Sequence, residues 1–185
     1  MKKVLFVTGN QRKVWEAQDV LKEFDVQVEG WELDVVEIQS HDALEIGLAK
    51  AEAAFAAAER PLVVCDHFWS IPALGGFPGG YMADMNGWFT PQDFLRLMEG
   101  QTDRTIIMTD VVVYIDETGT KPFVSKHPAK VTDEAHGKFP VPCAQVIMFD
   151  GQTKTFAELV DEDKQIHDMS NSAWRKFGQW YSQQK

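Results

Sequence analysis

Cysteine is scarce: Cys65 and Cys143 are the only two among 185 residues. Two thiols make no disulfide scaffold. Each sits in an apolar run, the usual setting of a buried free thiol, although a single bridge between them stays open. Cys65 also lacks the electropositive surroundings that make a thiolate reactive. Long hydrophobic runs are missing too, since no stretch approaches the roughly 18 apolar residues of a membrane helix. The opening MKKVLFVTGN leaves only VLFVT between its lysines and Gly9, too little for an export-signal core. The expectation is a soluble, cytoplasmic protein with no membrane association. Basic residues are outnumbered, 18 against 28 acidic, for a net charge of −10. That balance argues against nonspecific nucleic-acid binding but leaves room for a local basic pocket that takes a small polyphosphate. Glycines spaced as in a Walker loop or a dinucleotide fingerprint do not occur around TGN, and no Ser-His-Asp order is evident.

The rest of the composition is that of a globular chain, 44% apolar and 25% charged, without repeats, low-complexity tracts or flexible linkers. Its length suits one domain, residues 1–185, able to bury a substantial core with two closely packed lobes. VLFVT (4–8) reads as a buried strand broken at Gly9-Asn10, and Val14, Ala17, Leu21 and Phe24 follow at helical spacing. Residues 26–38 read as an extended return that brings Glu37 close to its end. Asp42 and Glu45 have capping-box spacing ahead of an alanine-rich helix reaching Glu59, with Leu44, Leu48, Ala51 and Phe55 on one face. Pro61 stops that helix, and LVVC follows as a strand that delivers Asp66 to its carboxyl end.

Strand, helix, strand, helix, strand predicts an α/β chain whose sheet is largely parallel here, with ligands gathering beyond the strands' carboxyl ends. Further on, Thr90, Pro91, Asp93 and Gly100 mark a short capped helix. TIIMTDVVVYID (105–116) is a long strand with a hairpin partner in KPFVS (121–125). CAQVIMF (143–149) and KTFAEL (154–159) flank the Asp150-Gly151 turn as a second strand-turn segment. A last helix, starting near Ser170 or Asn171, carries Trp174, Phe177 and Tyr181 as core or interface.

Glu37 and Asp66 are candidate ligands for a hard cation, which prefers oxygen donors and needs few from the protein when phosphates complete its shell. Two acids out of 28 also suit a solvated or structural role. TGNxxK sets Thr8 and Asn10 in a turn and Lys13 on the first helical turn, where backbone N–H groups and an ammonium can hold phosphate. An ordinary strand-to-helix turn has the same pattern. His67 is either an acid/base or ligand group, or a packed histidine beside its aromatic neighbours.

VTGNQRK, VVEIQ, GLAKAEAA, ALGGFPGGY, Asp103-Arg104, KTFAEL and DEDK together resemble the inosine triphosphate pyrophosphatase family, in the family's order and over most of the chain. That family hydrolyses noncanonical purine nucleoside triphosphates to monophosphate and pyrophosphate. The resemblance implies an elongated mixed β-sheet flanked by helices, two lobes around a central nucleotide cleft, and a homodimer. It puts phosphate handling on Thr8, Asn10, Lys13, Lys50 and Lys164, and Mg²⁺ on Glu37 and Asp66. The catalytic set it implies is Asp66, Glu37 and Lys13.

Departures concentrate at functional positions. The family's strand ends in two acids and a small pair, whereas here Cys65 replaces the first acid and His67-Phe68 the small residues. VPCAQ (141–145) replaces the run that recognises the base, with Cys143 and Ala144 at the aromatic-Asp pair. Asp168, Met169 and Ser170 stand where Ser-His-Arg is usual, with His167 one position away. Losing hydrogen-bonding groups at a base edge removes the discrimination they provide. The expected function is a Mg²⁺-dependent nucleoside triphosphate pyrophosphatase with altered base recognition, His67, Trp69 or Trp88 forming a different nucleotide pocket. The alternatives are a catalytically weak or silent nucleotide-binding homodimer and a mainly structural dimer.

Overall fold

The computed structural model describes residues 2–164 and 170–184. It begins as the alternation predicts: β1 (Lys2–Val7), α1 (Gln11–Leu21), β2 (Val26–Trp31), α2 (Ala43–Ala58) and β3 (Leu62–Ser70). Next come β4 (Pro78–Gly79), α3 (Met82–Trp88) and α4 (Pro91–Leu97), then the long strands β5 (Thr105–Asp116) and β6 (Gly119–Val131). β7 (Ile147–Phe149), α5 (Phe156–Asp161) and α6 (Ala173–Gln183) close the chain. The strands form a mixed sheet of order β2-β1-β3-β5-β6-β7, with β4 paired to β3. β1 is parallel to both β2 and β3. The chain is an α/β protein, as expected.

It divides into two compact units, one drawn from residues 1–67, 110–125 and 169–185, the other from 68–109 and 126–168. In the first, the period of two along each strand sorts side chains onto opposite faces of the sheet. Val4, Phe6, Val63, Cys65 and Val112 meet Ala17 and Leu21 of α1 and Trp174 and Phe177 of α6. Leu5, Val7, Leu62, Val64, Val111 and Val113 meet Ala51 and Ala54 of α2. Phe6 is fully buried, which is worth about 2–3 kcal/mol of apolar transfer. The terminal aromatics serve this core: Phe177 stacks on Tyr181 at 5.1 Å, and Trp180 lies 5.2 Å from Tyr114.

The second unit has its own core, in which Trp69, Met82, Phe94, Met108, Val131 and Phe149 take part. ALGGFPGGY makes a tight turn, with Gly75, Gly76 and Gly79 at φ of 66°, 94° and 65°. A side chain on Gly79 would press against the Phe68 ring at 3.3 Å. Phe68 therefore fills the space above a bare backbone.

Several local expectations are corrected. β2 stops at Trp31, whose partner Val7 ends β1; residues 32–40 form no regular element, so Glu37 lies on an irregular segment. Asp42 caps α2 through Leu44 N–H at 2.8 Å, while Glu45 accepts from the Ser40 hydroxyl, so the reciprocal box does not form. β3 runs on to Ser70, although Phe6 opposite Val63 leaves Cys65 and Asp66 beyond the end of β1. CAQVIMF begins in a 3₁₀ turn over Pro142–Gln145, and KTFAEL is helical because Thr155 and Glu158 form a complete capping box. α6 starts at Ala173, capped by Ser172, and α3 is an element without a counterpart in the sequence reading.

Candidate functional site

The first unit assembles most of the expected side chains. Asn10 caps α1, its Oδ1 accepting from the N–H groups of Arg12 at 3.0 Å and Lys13 at 3.4 Å, while its own N–H donates to Thr8 Oγ1. The Asn10 side chain thus satisfies helix donors that phosphate would otherwise meet. One turn along, Lys13 Nζ donates to the Cys65 carbonyl at 3.3 Å, bringing its ammonium to β3.

On the other face of the sheet, α2 delivers Lys50 between two carboxylates. Its Nζ lies 2.5 Å from Glu37 Oε1 and 3.5 Å from Asp66 Oδ2. Burial alone would depress the Lys50 pKa, but the Asp66 charge and the Glu37 contact outweigh it, and the net shift is upward. Lys50 remains a cation at neutral pH. Asp66 Oδ1 also accepts the His67 N–H at 2.8 Å, which fixes the carboxylate's orientation.

Glu37 and Asp66 suit Mg²⁺ by donor chemistry: both are carboxylates, their side chains are 47% and 22% exposed, and this ion usually takes one or two carboxylates together with substrate phosphates. Cys65 adds no ligand, because burial pushes its thiol up to about 12. Among the described residues, no group of three or more His, Cys, Asp or Glu gathers as a metal cluster.

His67 is placed at the unit's polar end, its Nε2 3.6 Å from Asp110 Oδ1. Asp110 was missed by sequence reasoning. The signal for it was a lone acid inside the β-branched run TIIMTDVVVY. Glu16 was missed as well; it is paired with Arg12 at 2.9 Å, and its pKa is raised by burial against that pairing.

Other expected positions belong to the second unit. Trp69 is 5% exposed in that unit's core, its ring 6.1 Å from Phe149, so it supports the fold where a nucleotide-contacting surface was expected. Trp88 is 74% exposed and lines a shallow cavity of about 460 Å³ with Phe89, Asp93, Arg96 and Leu97. Lys164 donates to Glu162 at 2.7 Å, and contacts from Lys154 and Lys164 hold the Glu162 carboxyl down to about 2. Cys143 and Ala144 are buried, the Cys143 N–H donating to Asn86 Oδ1 at 3.0 Å. His167, Asp168 and Met169 lie outside the described residues. Among those described, no helix is long and apolar enough to cross a membrane.

A parallel βαβ start, with lysines and carboxylates gathered beyond the end of its first strand, defines an α/β protein. The Ham1 family model matches residues 4–180, and the chain belongs to that family. It is 33% identical over 181 residues to the dITP/XTP pyrophosphatase of Methanopyrus kandleri, covering 97% of this chain and 96% of that protein. The dITP/XTP pyrophosphatase of Saccharolobus solfataricus is 28% identical over 178 residues, with 96% and 93% covered. Among solved structures, a HAM1 protein from Coxiella burnetii superposes with a TM-score of 0.81 at 19% identity, and the Staphylococcus aureus Ham1 protein with 0.80 at 24%. Each covers all of both chains, and these likenesses establish the fold.

Proposed function

We propose that this chain is a nucleoside triphosphate pyrophosphatase that converts a noncanonical purine triphosphate to its monophosphate and pyrophosphate. The observation that carries the reading is the Glu37–Lys50–Asp66 constellation: one buried ammonium aligns two part-exposed carboxylates. The dITP/XTP pyrophosphatases above, similar over nearly the whole chain, point the same way.

Glu37 and Asp66 would hold Mg²⁺, which supplies charge neutralisation at the phosphates when bound. Lys50 keeps both carboxylates in place and adds its own positive charge. Lys13, tied to β3, offers a second ammonium on the opposite face of the sheet. The N–H of His67 fixes Asp66, so the carboxylate is oriented before substrate arrives and needs little reorganisation. Water attacks phosphorus as the bond to the pyrophosphate leaving group breaks. Base recognition differs from the resemblance because Cys143 and Ala144 are buried small residues. We also propose that the protein is a cytoplasmic homodimer, for which sedimentation velocity is the check.

The test is pyrophosphate release from ITP, XTP, dITP and the common triphosphates with Mg²⁺, measured against Asp66→Asn. Turnover of an inosine or xanthosine nucleotide that Asp66→Asn abolishes is expected. No rate above that variant on any nucleotide overturns the enzyme reading. A silent nucleotide-binding homodimer is the second reading, favoured by the neutral Cys65 thiol at the expected acid position. It predicts thermal stabilisation by millimolar nucleotide without hydrolysis.

A further inference from the structure

Asp110 stands on β5, next to β3 in the sheet, and is 4% exposed. Strand alternation gives residues 110 and 112 one face. Val112 shares its apolar cluster with Val63 and Cys65, so Asp110, Cys65 and His67 face the same side. α1 covers this side with Arg12, Lys13 and Glu16. Negative charge at Asp110 acts on both Cys65 and Glu16 in the same direction as burial, against the lowering effect of Lys13 on the thiol and of Arg12 on the carboxyl. The Asp110 carboxylate is 3.6 Å from His67 Nε2, within ion-pair range, and the two side chains are 6% and 30% exposed. A buried carboxylate behind a part-exposed imidazole is an arrangement in which the acid sets the ring's orientation and the ring meets the ligand. Through the backbone of His67 the contacts continue: its main-chain N–H donates to Asp66, and Asp66 pairs with Lys50.

We propose that Asp110 is a positioning residue for this site, holding the His67 imidazole at the carboxyl end of β3, on the face opposite the Asp66 carboxylate, so that the ring meets the phosphate chain or the attacking water. This rests on the pyrophosphatase reading for its substrate. It does not depend on a change of protonation at His67. The carboxylate that Cys65 cannot supply on this face of β3 comes instead from the neighbouring strand.

The experiment compares wild type, Asp110→Asn and Cys65→Asp/Asp110→Asn by three measurements. These are imidazole ¹H–¹⁵N spectra assigned with His67→Gln, binding of a triphosphate analogue with an uncleavable α,β bridge in Mg²⁺, and steady-state kinetics. Asp110→Asn is expected to shift the His67 ring signals, weaken analogue binding by about two- to threefold and lower kcat about 30-fold, with KM rising by no more than the same small factor. The double variant, which returns a carboxylate to the same face, is expected to recover part of each loss. A purely structural Asp110 would lower the melting temperature while leaving the ring signals and the kcat-to-KM split unchanged, which overturns the proposal. If wild type hydrolyses nothing, the pyrophosphatase reading fails, and the ring signals and analogue binding still decide the role of Asp110. Unchanged ring signals or unchanged binding in Asp110→Asn overturn it.

Discussion

The Lys50 ammonium lies 2.5 Å from the Glu37 carboxylate and so ties the irregular segment 32–40 to α2. The Lys50 side chain is only 12% exposed and its carboxylate partners are part-exposed, so removing the ammonium leaves two neighbouring negative charges that water screens only in part. Lys50→Met is expected to cost about 2 kcal/mol, lowering the melting temperature by about 4–8 °C. It should also speed proteolysis between residues 32 and 40. Lys50→Met/Glu37→Gln should recover part of the stability. Calorimetry and timed digestion check both, and an unchanged cleavage rate would contradict the tether.

Two glycines in helices should respond in opposite directions to alanine. A Cβ on Gly47 would meet Val111 Cγ1 at 2.6 Å and Val113 Cγ2 at 3.3 Å, whereas one on Gly87 of α3 meets nothing within 4 Å. Gly47→Ala gains about 1 kcal/mol of helix propensity but overpacks the core by about 1–3 kcal/mol, so a net loss is expected. Gly87→Ala has only the gain. Urea unfolding of the two variants should place them on either side of wild type.

Burial pushes the Cys65 thiol up to about 12 and the Cys143 thiol up to about 11. Both are free. At pH 8 an aromatic disulfide reagent should therefore find almost no thiol in the folded protein and two after denaturation. Fast labelling of either cysteine in the native state would contradict their burial.

Glu16 sets a pH dependence with a definite sign. Its pKa is raised by burial, against the lowering effect of Arg12, so the folded chain holds this proton more tightly than the unfolded chain does. The associated stability is present below the ordinary glutamate value and is lost as pH rises through the higher folded-state value. Glu16→Gln should be more stable than wild type at pH 7, with the difference vanishing in acid. Melting curves from pH 4 to 8 are the measurement, and a variant less stable at pH 7 would reverse the assigned sign.

Much of this architecture was legible because local chemistry and tertiary structure agree. VLFVT, the break at Gly9-Asn10, the Thr90, Pro91 and Asp93 helix start and the run 105–116 each announce an element through period, cap or breaker. KTFAEL was misread because its apolar residues suit a strand, while Thr155 and Glu158 supply a helix start. Glu37 was placed on a strand because VVEI has strand chemistry, but a strand needs a partner, and β1 ends at Val7. Trp69 reversed expectation and Asp110 was missed for one reason. An aromatic near a motif reads as a ligand platform and an acid within a strand as incidental, until burial and neighbours are known.

The sequence by itself determined the α/β alternation, the capped helices, the glycine turn and the family, since these rest on residue type and spacing along the chain. Only the tertiary structure decided that Lys50 joins Glu37 to Asp66, that Cys65 is sealed as a neutral thiol, and that Asp110 stands behind His67. Those relationships depend on strand order, strand register and the face each side chain takes, which neighbouring residues in sequence do not encode.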